Sequence, residues 1–302
     1  MRIAVNAGGE ALGRPTPPDD VVDAVVAAED HGHAAVWTTH FSRGIDALSV
    51  LAVAAARTSR IDLGVGVIPT YPRHPWALAQ QAATVQALSG GRLTLGVGVS
   101  HRPVIEDLHG LSYASPANHM RDYLSVLVPL LRDGGVRYRG DHYSVAGEFT
   151  VPGTSPVSVL VGALGPRMTD VAGELADGVV TWLAGPRVLA DSVRRLAAAS
   201  GGAPRRVVAA MPVAVCDDGD EARSTADAVF SRYGGLDNYR RIFDREGVST
   251  VGELVLAGTE EQVRAALARY QDVGVTELWA VPYEVGGAGT QRTEDFLRGL
   301  SG

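Results

Sequence analysis

The residues best suited to chemistry are histidines and glycines that end apolar, β-branched runs of the chain. His40 ends one such run, Gly66-Val67 ends another, and Gly98-Val99-Ser100-His101 ends a third. Histidine acts as an acid, a base or a hydrogen-bond donor near neutral pH. Glycine at a strand end removes a side chain and lets a flat ring lie against the backbone. This combination predicts a ligand with a planar ring, with histidines beside it.

Several other chemistries lack the residues that they need. All 27 of the Lys-plus-Arg side chains are arginine, so Schiff-base catalysis through lysine and a P-loop are both excluded. No Gly-x-Ser-x-Gly elbow is present. The single cysteine, Cys216, cannot form an intramolecular disulfide. The first predicted strand carries no paired histidines, which barrel metal hydrolases need, and we therefore expect no metal site.

The elements that must position these residues alternate regularly. Apolar runs alternate with segments of 3.6-residue period, which is typical of βα units and a parallel sheet. We predict one (β/α)8 TIM-barrel domain over residues 1–302, with insertions after strand four (134–156) and strand seven (218–256). A doubly wound open sheet is the alternative, but no glycine fingerprint follows the first strand. The predicted strands are 2–7, 34–40, 61–68, 93–100, 157–164, 178–183, 207–215 and 277–282, and a hairpin is predicted at 137–145.

In such a barrel, functional residues gather where strands end and βα loops begin. The other predicted strand ends add Thr39, Ala163-Leu164-Gly165 and Thr181 to the candidate site. Glycine within the strands, at Gly64 and Gly96, is expected only to relieve crowding inside the barrel. Gly66 and Gly98 lie nearest the strand ends, and we expect them to contact the ligand.

Composition restricts the partners and the location of the protein. The formal net charge is −7, which gives no basic surface for nucleic acid or an anionic membrane. No apolar run approaches the ~20 residues of a membrane helix. The start of the chain, MRIAVNA, does not follow the pattern of a signal peptide. We expect a cytoplasmic protein with a small-molecule substrate and with neither a nucleic-acid nor a membrane partner.

Eight segments distributed over nearly the whole chain resemble the luciferase-like monooxygenase superfamily. The stretch 98–104 is similar to the actinobacterial branch that uses coenzyme F420, an 8-hydroxy-5-deazaflavin. FMN is the alternative cofactor. The eight segments are 35–40, 63–69, 73–75, 81–84, 88–92, 95–99, 163–166 and 176–181.

This resemblance implies where the coenzyme lies. A bulge with a non-prolyl cis peptide at Gly66-Val67 would support the back face of the ring. Ala163, Leu164 and Gly165 would begin a helix whose free N–H groups bind the coenzyme's phosphate. The implied cofactor-binding residues are Thr39, His40, Gly66, Val67, Gly98, Val99, Ser100, Ala163, Leu164, Gly165, Pro166 and Thr181.

The resemblance also implies the reaction. His40 corresponds to the active-site histidine of the sugar-phosphate dehydrogenase branch. Thr39 replaces the aspartate that usually precedes this histidine, His101 replaces a carboxylate proton donor, and Gly44 replaces an aromatic residue. These departures argue against a sugar-phosphate substrate. The implied reaction is hydride transfer between F420 and a small organic molecule, such as an imine or an activated C=C bond of specialised metabolism, with a proton from His40 or His101.

Two alternatives keep the barrel and change its role. One is an FMN-dependent, oxygen-using monooxygenase, and the other is a barrel that binds a flavin without catalysis. Glycine at Gly66 and Gly98 argues against a degraded site.

The superfamily commonly dimerises through helices on one side of the barrel, so a homodimer is expected. Candidate contacts are Val50, Leu51, Val53, Trp76, Leu78 and Ala79, for which core packing is the competing interpretation.

Overall fold

The computed structural model of the chain describes residues 1–287 and 289–300. In this part of the chain, parallel strands close into a ring, because each strand pairs with the next and the last pairs with the first. The predicted TIM barrel is therefore confirmed. In ring order the strands are β1 (Arg2–Ala7), β2 (Ala35–Thr38), β3 (Asp62–Pro69), β4 (Leu93–Gly98), β7 (Ser158–Gly162), β8 (Gly178–Trp182), β9 (Arg206–Val215) and β11 (Glu277–Pro282).

Helices pack around the outside of this ring and bury their apolar faces against it. Several begin at a proline, whose fixed φ and missing N–H suit the first helical turn. No helix in the described ranges is long and apolar enough to cross a membrane. The helices that follow barrel strands are α1 (Pro18–Asp30), α2 (Ala47–Arg57), α3 (Pro75–Leu88), α4 (Pro116–Asp133), α5 (Pro166–Leu175), α6 (Pro186–Ala199), α10 (Glu260–Asp272) and α11 (Gln291–Leu300).

Two insertions interrupt the alternation where they were predicted. After β4 come a π-helical turn (Val104–Leu108), α4, and an antiparallel hairpin of β5 (Gly135–Arg139) and β6 (Ser144–Glu148). After β9 come α7 (Gly219–Val229), α8 (Ser231–Gly234), α9 (Asp237–Glu246) and β10 (Leu256–Gly258). The second insertion, predicted at 218–256, ends in a short strand that was not predicted. There β10 pairs with the carboxyl end of β9, beyond the residues of β9 that pair with β8.

The interior of the barrel is closed at the amino ends of the strands. The Glu277 carboxylate is 3% exposed and accepts hydrogen bonds from Trp37 Nε1 at 2.6 Å and from an Arg206 Nη at 3.2 Å. Above this polar layer, Trp37 and Trp279 stack with ring centroids 5.3 Å apart. The carboxyl ends of the strands are therefore the side on which a ligand can enter.

Three predicted strands were two residues too long at these carboxyl ends. β2 ends at Thr38, β4 at Gly98 and β7 at Gly162, instead of at His40, Ser100 and Leu164. Ser100 has a left-handed φ of 58°, which is incompatible with a continuing strand. Both candidate catalytic histidines consequently lie on loops that follow the strands.

Candidate active site

β3 is irregular where it approaches the open end of the barrel. Its register with β4 shifts between Val65 and Ile68, and the peptide bond between Gly66 and Val67 is cis. Gly66 and Val67 are partly exposed, whereas the residues on either side of them in the strand are buried. The bulge and cis peptide implied by the family resemblance are therefore present, and the Gly66-Val67 backbone is accessible.

Packing explains the glycines inside β3 and β4. A Cβ on Gly64 would collide with the indole of Trp37, and a Cβ on Gly96 would collide with the carbonyl oxygen of Val65. Both glycines are buried. The prediction that they relieve crowding is confirmed.

Packing also explains the two glycines assigned to ligand contact. A Cβ on Gly66 would lie 2.5 Å from the Trp279 ring, and one on Gly98 would lie 2.5 Å from Val67 Cγ2. Real Cβ atoms do not approach other atoms this closely, so the barrel itself requires glycine at both positions. The absence of a side chain is thus no evidence for a ligand here. Contact between the cofactor and the backbone of Gly66 or Gly98 stays a prediction.

His40 lies on the loop between β2 and α2. Its Nδ1 accepts a hydrogen bond from the backbone N–H of Ala47 at 3.3 Å. In the neutral ring the proton is then on Nε2, which can donate to a ligand. Burial lowers the pKa of His40, and the Arg73 charge lowers it further against the opposing effect of Asp46. The ring is therefore neutral near pH 7.

A polar network fixes the loop that carries His40. Asp46 caps α2 by accepting from the N–H of Ser49 at 2.8 Å, and its carboxylate pairs with Arg73 at 2.7 Å. Arg73 also donates to Gln81 at 3.1 Å. Burial raises the pKa of Asp46, but the bonds from Arg73 and Ser49 outweigh this effect and hold the pKa at about 2. Segments 73–75 and 81–84 of the family resemblance thus position the histidine loop.

His101 lies on the loop after β4, partly covered by α9. Its ring centroid is 6.1 Å from that of Tyr239. Burial lowers the pKa of His101, and the nearby Arg232 charge lowers it further. Like His40, it is therefore neutral near pH 7. A neutral imidazole is better suited to donate a hydrogen bond or act as a base than to act as a cationic acid.

Sequence reasoning missed a carboxylate at this end of the barrel. Glu10 opens a short 3-10 turn (Glu10–Leu12) after β1 and is 7% exposed. Its Oε1 accepts from the N–H of Thr16 at 3.3 Å, whereas its Oε2 is buried and has no partner among the described residues. An unpaired buried carboxylate oxygen is costly, which makes Glu10 a functional candidate. The sequence signal was available, since Gly8-Gly9-Glu10 follows the first strand directly.

The amino end of α5 meets the same edge of the barrel. The helix begins at Pro166 with Gly165 as its N-cap, so Ala163 and Leu164 belong to the preceding loop. No side chain caps this end, and a Cβ on Gly165 would meet no atom within 4 Å. The N–H groups of the first turn and the helix dipole therefore form an open position for an anion.

At the next helix, α6, a carboxylate of the chain itself occupies the corresponding anion position. Gly165-Pro166-Arg167 at α5 is repeated as Gly185-Pro186-Arg187 at α6. At α6 the buried carboxylate of Glu246 accepts from the N–H of Val188 at 2.6 Å and from that of Arg187 at 3.3 Å. The corresponding position at α5 has no such carboxylate.

The insertion after β9 lies over the open end with a group of aromatic rings. Trp182, at the end of β8, packs at 5.7 Å from Phe230 and at 5.8 Å from Tyr233. Tyr233 lies 4.8 Å from Tyr239, which reaches His101. Sequence reasoning did not single out these three insertion residues, because their contacts are with distant parts of the chain.

The structure brings most of the predicted cofactor residues to one edge of the barrel. Thr181 differs, because its side chain is 2% exposed and its hydroxyl donates to the carbonyl of Val208 at 3.4 Å. Its neighbour Val180 faces the barrel interior, so Thr181 faces the outer helices. Within residues 1–287 and 289–300, no three His, Cys, Asp or Glu side chains converge as metal ligands. The residues at the shared edge are Thr39, His40, Gly66, Val67, Gly98, Val99, Ser100, His101, Ala163, Leu164, Gly165 and Pro166.

The fold and the strand-end site are those of a TIM-barrel enzyme. A family profile described as luciferase-like monooxygenase matches residues 1–277. The chain belongs to this family. The resemblance inferred from segments such as 35–40 and 95–99 is thereby confirmed.

Three known proteins are similar to this chain in sequence or in fold. A protein of Mycobacterium tuberculosis named as a coenzyme F420-dependent oxidoreductase is 30% identical over 277 residues, covering 82% of this chain and 80% of that protein. The F420-dependent tetrahydromethanopterin reductase of Methanopyrus kandleri superposes with a TM-score of 0.77 at 22% identity, covering 99% and 97% of the two chains. An FMN-bound type II Baeyer–Villiger monooxygenase from Pseudomonas putida gives 0.75 at 15% identity, covering 100% and 97%. The two solved structures support the fold.

Proposed function

We propose that this chain is an F420-dependent oxidoreductase that transfers a hydride between the deazaflavin and a small organic substrate. The uncapped amino end of α5, beside the accessible Gly66-Val67 backbone, carries the proposal. Together, the helix end and the backbone match a cofactor whose ring bears an anionic tail. The mycobacterial relative named for F420 supports the same cofactor. For the substrate we propose an imine or an activated C=C bond of specialised metabolism.

The bound coenzyme supplies or accepts the hydride, and the chain positions the two reactants. The Gly66-Val67 backbone supports the ring, while the first-turn N–H groups of α5 bind the phosphate. His40 accepts from Ala47 through Nδ1, and its Nε2, which has no hydrogen bond to the described residues, donates towards the reactants. Glu10 and His101 are the groups that move a proton. The buried, unpartnered Oε2 of Glu10 makes it the stronger candidate for that step.

Cofactor choice tests the proposal directly. The purified protein is titrated into F420 and, separately, into FMN, and the quenching of each cofactor's fluorescence is measured. We expect saturable binding of F420 with a Kd on the order of micromolar and no binding of FMN. Binding of FMN together with oxygen uptake when the flavin is reduced would instead identify an FMN monooxygenase. Failure to bind F420 would contradict the proposal.

A substitution at α5 tests the phosphate position. In Gly165→Asp, the new carboxylate caps the helix and occupies the place of the phosphate, because the site has room for a side chain. We expect at least tenfold weaker F420 binding, with little change for a deazaflavin that lacks the phosphate tail. Gly165→Ala is the matched control and is expected to bind F420 like the parent. Equal effects of Asp on both deazaflavins would place the phosphate elsewhere.

A further inference from the structure

We propose that Arg232, on α8, binds a carboxylate group of the substrate, so that this enzyme acts on organic carboxylates. The inference deepens the proposed function and rests on it, because it names the class of substrate for the proposed reaction. Its physical basis is a guanidinium that the fold orients but does not neutralise.

The fold holds the Arg232 side chain in place from several sides. One Nη donates to the carbonyl oxygen of Ala11 at 3.0 Å and to the hydroxyl of Tyr233 at 3.1 Å. The guanidinium carbon lies 5.4 Å from the Phe41 ring centroid and 4.9 Å from that of Tyr233. These contacts use one of its three nitrogens as a donor. The other Nη makes no hydrogen bond with the described residues, so its two N–H groups are available to donate to a carboxylate.

No carboxylate of the described chain neutralises this cation. Two other arginines near the open end have an acidic partner: Arg73 pairs with Asp46 at 2.7 Å, and Arg102 pairs with Glu106 at 2.6 Å. No acidic oxygen of the described residues lies within 4.0 Å of Arg232. In a protein of net charge −7, this unpaired cation is a specific attraction for an anion at the open end.

The position of Arg232 assigns this anion to the substrate. Its contacts are with the loops after β1 and β2, through Ala11 and Phe41. Since β1, β2, β3, β4 and β7 are consecutive in the ring, the α5 end that follows β7 is four strands from β1, across the barrel. The coenzyme's phosphate position and Arg232 are therefore separate. Arg232 also lies close enough to His101 for its charge to lower the pKa of that histidine.

The surroundings of Arg232 favour a planar acid. Phe41 is 37% exposed and its ring centroid lies 5.4 Å from the guanidinium carbon, whereas Tyr233 and Tyr239 are buried behind Arg232 at 6% and 5% exposed. The Phe41 ring offers an apolar face to an unsaturated or aromatic skeleton, and the guanidinium is placed to bind its carboxylate. Matched acids and amides with such skeletons are therefore suitable probes.

The experiment measures binding of two probe pairs by calorimetry: trans-cinnamate with trans-cinnamamide, and benzoate with benzamide. Each pair is tested with the protein alone and with the protein saturated with F420. We expect at least one acid to bind about tenfold more tightly than its amide, as a charge-assisted hydrogen bond provides. Arg232→Gln should abolish this preference and leave amide binding within about twofold. Arg43→Gln, which removes an exposed charge from the Phe41 loop, is the matched control and should keep the preference.

The outcomes separate this inference from the proposed function. No acid preference in the parent, or a preference that survives Arg232→Gln, overturns it. A loss of preference in Arg43→Gln equal to that in Arg232→Gln also overturns it, because the effect would then belong to the general field of the open end. An acid preference that depends on Arg232 in a protein that does not bind F420 would support a carboxylate site and contradict the proposed cofactor. Melting temperatures of both variants are compared with the parent to exclude unfolding.

Discussion

Among single residues, His119 is the most strongly perturbed histidine of the structure. It is 4% exposed, its Nε2 lies 3.0 Å from Thr70 Oγ1, and its ring stacks on Tyr71 with centroids 3.9 Å apart. Burial lowers its pKa from 6.5 to about 4, and the His142 charge acts in the same direction, while Asp122 opposes both. Folding therefore depends on His119 being uncharged.

This perturbation predicts how stability depends on pH. As the pH falls from about 6.5 to about 4, the unfolded chain binds a proton at His119 that the folded chain does not, so the free energy of unfolding decreases. The contribution is present above pH 6.5 and is lost in that window. His119→Gln should flatten the decrease in urea-unfolding series across these pH values. His31→Gln, at the exposed end of α1, serves as control and should follow the parent. An unchanged slope in His119→Gln would contradict the pKa assignment.

Among single residues, the sequence indicated candidates where reactive side chains lie near strand ends. His40 and His101 lie two and three residues after β2 and β4, so their positions were predictable, whereas their catalytic roles stay a prediction. Glu10 could have been predicted in the same way, because it lies shortly after β1, but it was overlooked. Arg232 could not be identified as a candidate from the sequence, because Ala11 and Phe41, which orient it, are about two hundred residues away along the chain. Exposed arginines are common, and only the fold shows that this one is oriented and unpaired.

At the scale of elements, β3 and β4 contact each other through Val67 and Gly98. Because a Cβ on Gly98 would lie 2.5 Å from Val67 Cγ2, Gly98→Ala should destabilise the fold by about 1–3 kcal/mol through overpacking. Val67→Ala removes the opposing methyl groups. The double variant should therefore be more stable than the sum of the two single changes predicts, by about 1 kcal/mol or more in urea unfolding. Additive effects would contradict the packing explanation.

The same double variant separates packing from cofactor binding. If the backbone at Gly98 contacts F420, Val67→Ala/Gly98→Ala should fold but bind F420 more weakly than Val67→Ala alone. Equal affinity would leave Gly98 with a packing role only. The matched single variant controls for the loss of the valine side chain itself.

Strands and helices were predicted well where the local sequence carries a clear apolar pattern. The apolar run at 2–7 gave the bounds of β1, Arg2–Ala7, correctly. β10 was missed because three residues carry little periodicity and its pairing with β9 is long-range. The end of β4 was misplaced because the left-handed turn at Ser100 uses a residue other than glycine.

At the scale of the whole molecule, α2 and α3 form an outer face without a partner in the described chain. Val53 is 53% exposed and Leu88 is 52% exposed, and α3 contains no charged residue. An uncharged helix face with exposed apolar groups is typical of subunit interfaces. Of the candidate dimer contacts, Val53 and Trp76 remain available. Val50, Leu51, Leu78 and Ala79 are buried in the core of one chain, as the competing interpretation held.

We propose that two copies of the chain pair through this face. Light scattering should give the mass of a dimer for the parent, and Val53→Glu/Leu88→Glu should give a monomer because buried carboxylates would oppose each other across a twofold axis. Val229→Glu changes a similarly exposed valine at the end of α7, and it should remain dimeric. A monomeric parent, or a dimeric double variant, would exclude this interface.

The layer of Glu277, Arg206 and Trp37 that closes one end of the barrel would also set the order in which the coenzyme and the substrate bind and leave. With that end closed, everything that binds in the barrel must enter and leave through the opposite end. A coenzyme lying on the Gly66-Val67 backbone would be the inner occupant, and a substrate bound at Arg232 the outer one. The inner occupant must then arrive first and depart last. Steady-state kinetics would accordingly be ordered, and an excess of the outer ligand would trap the spent coenzyme inside.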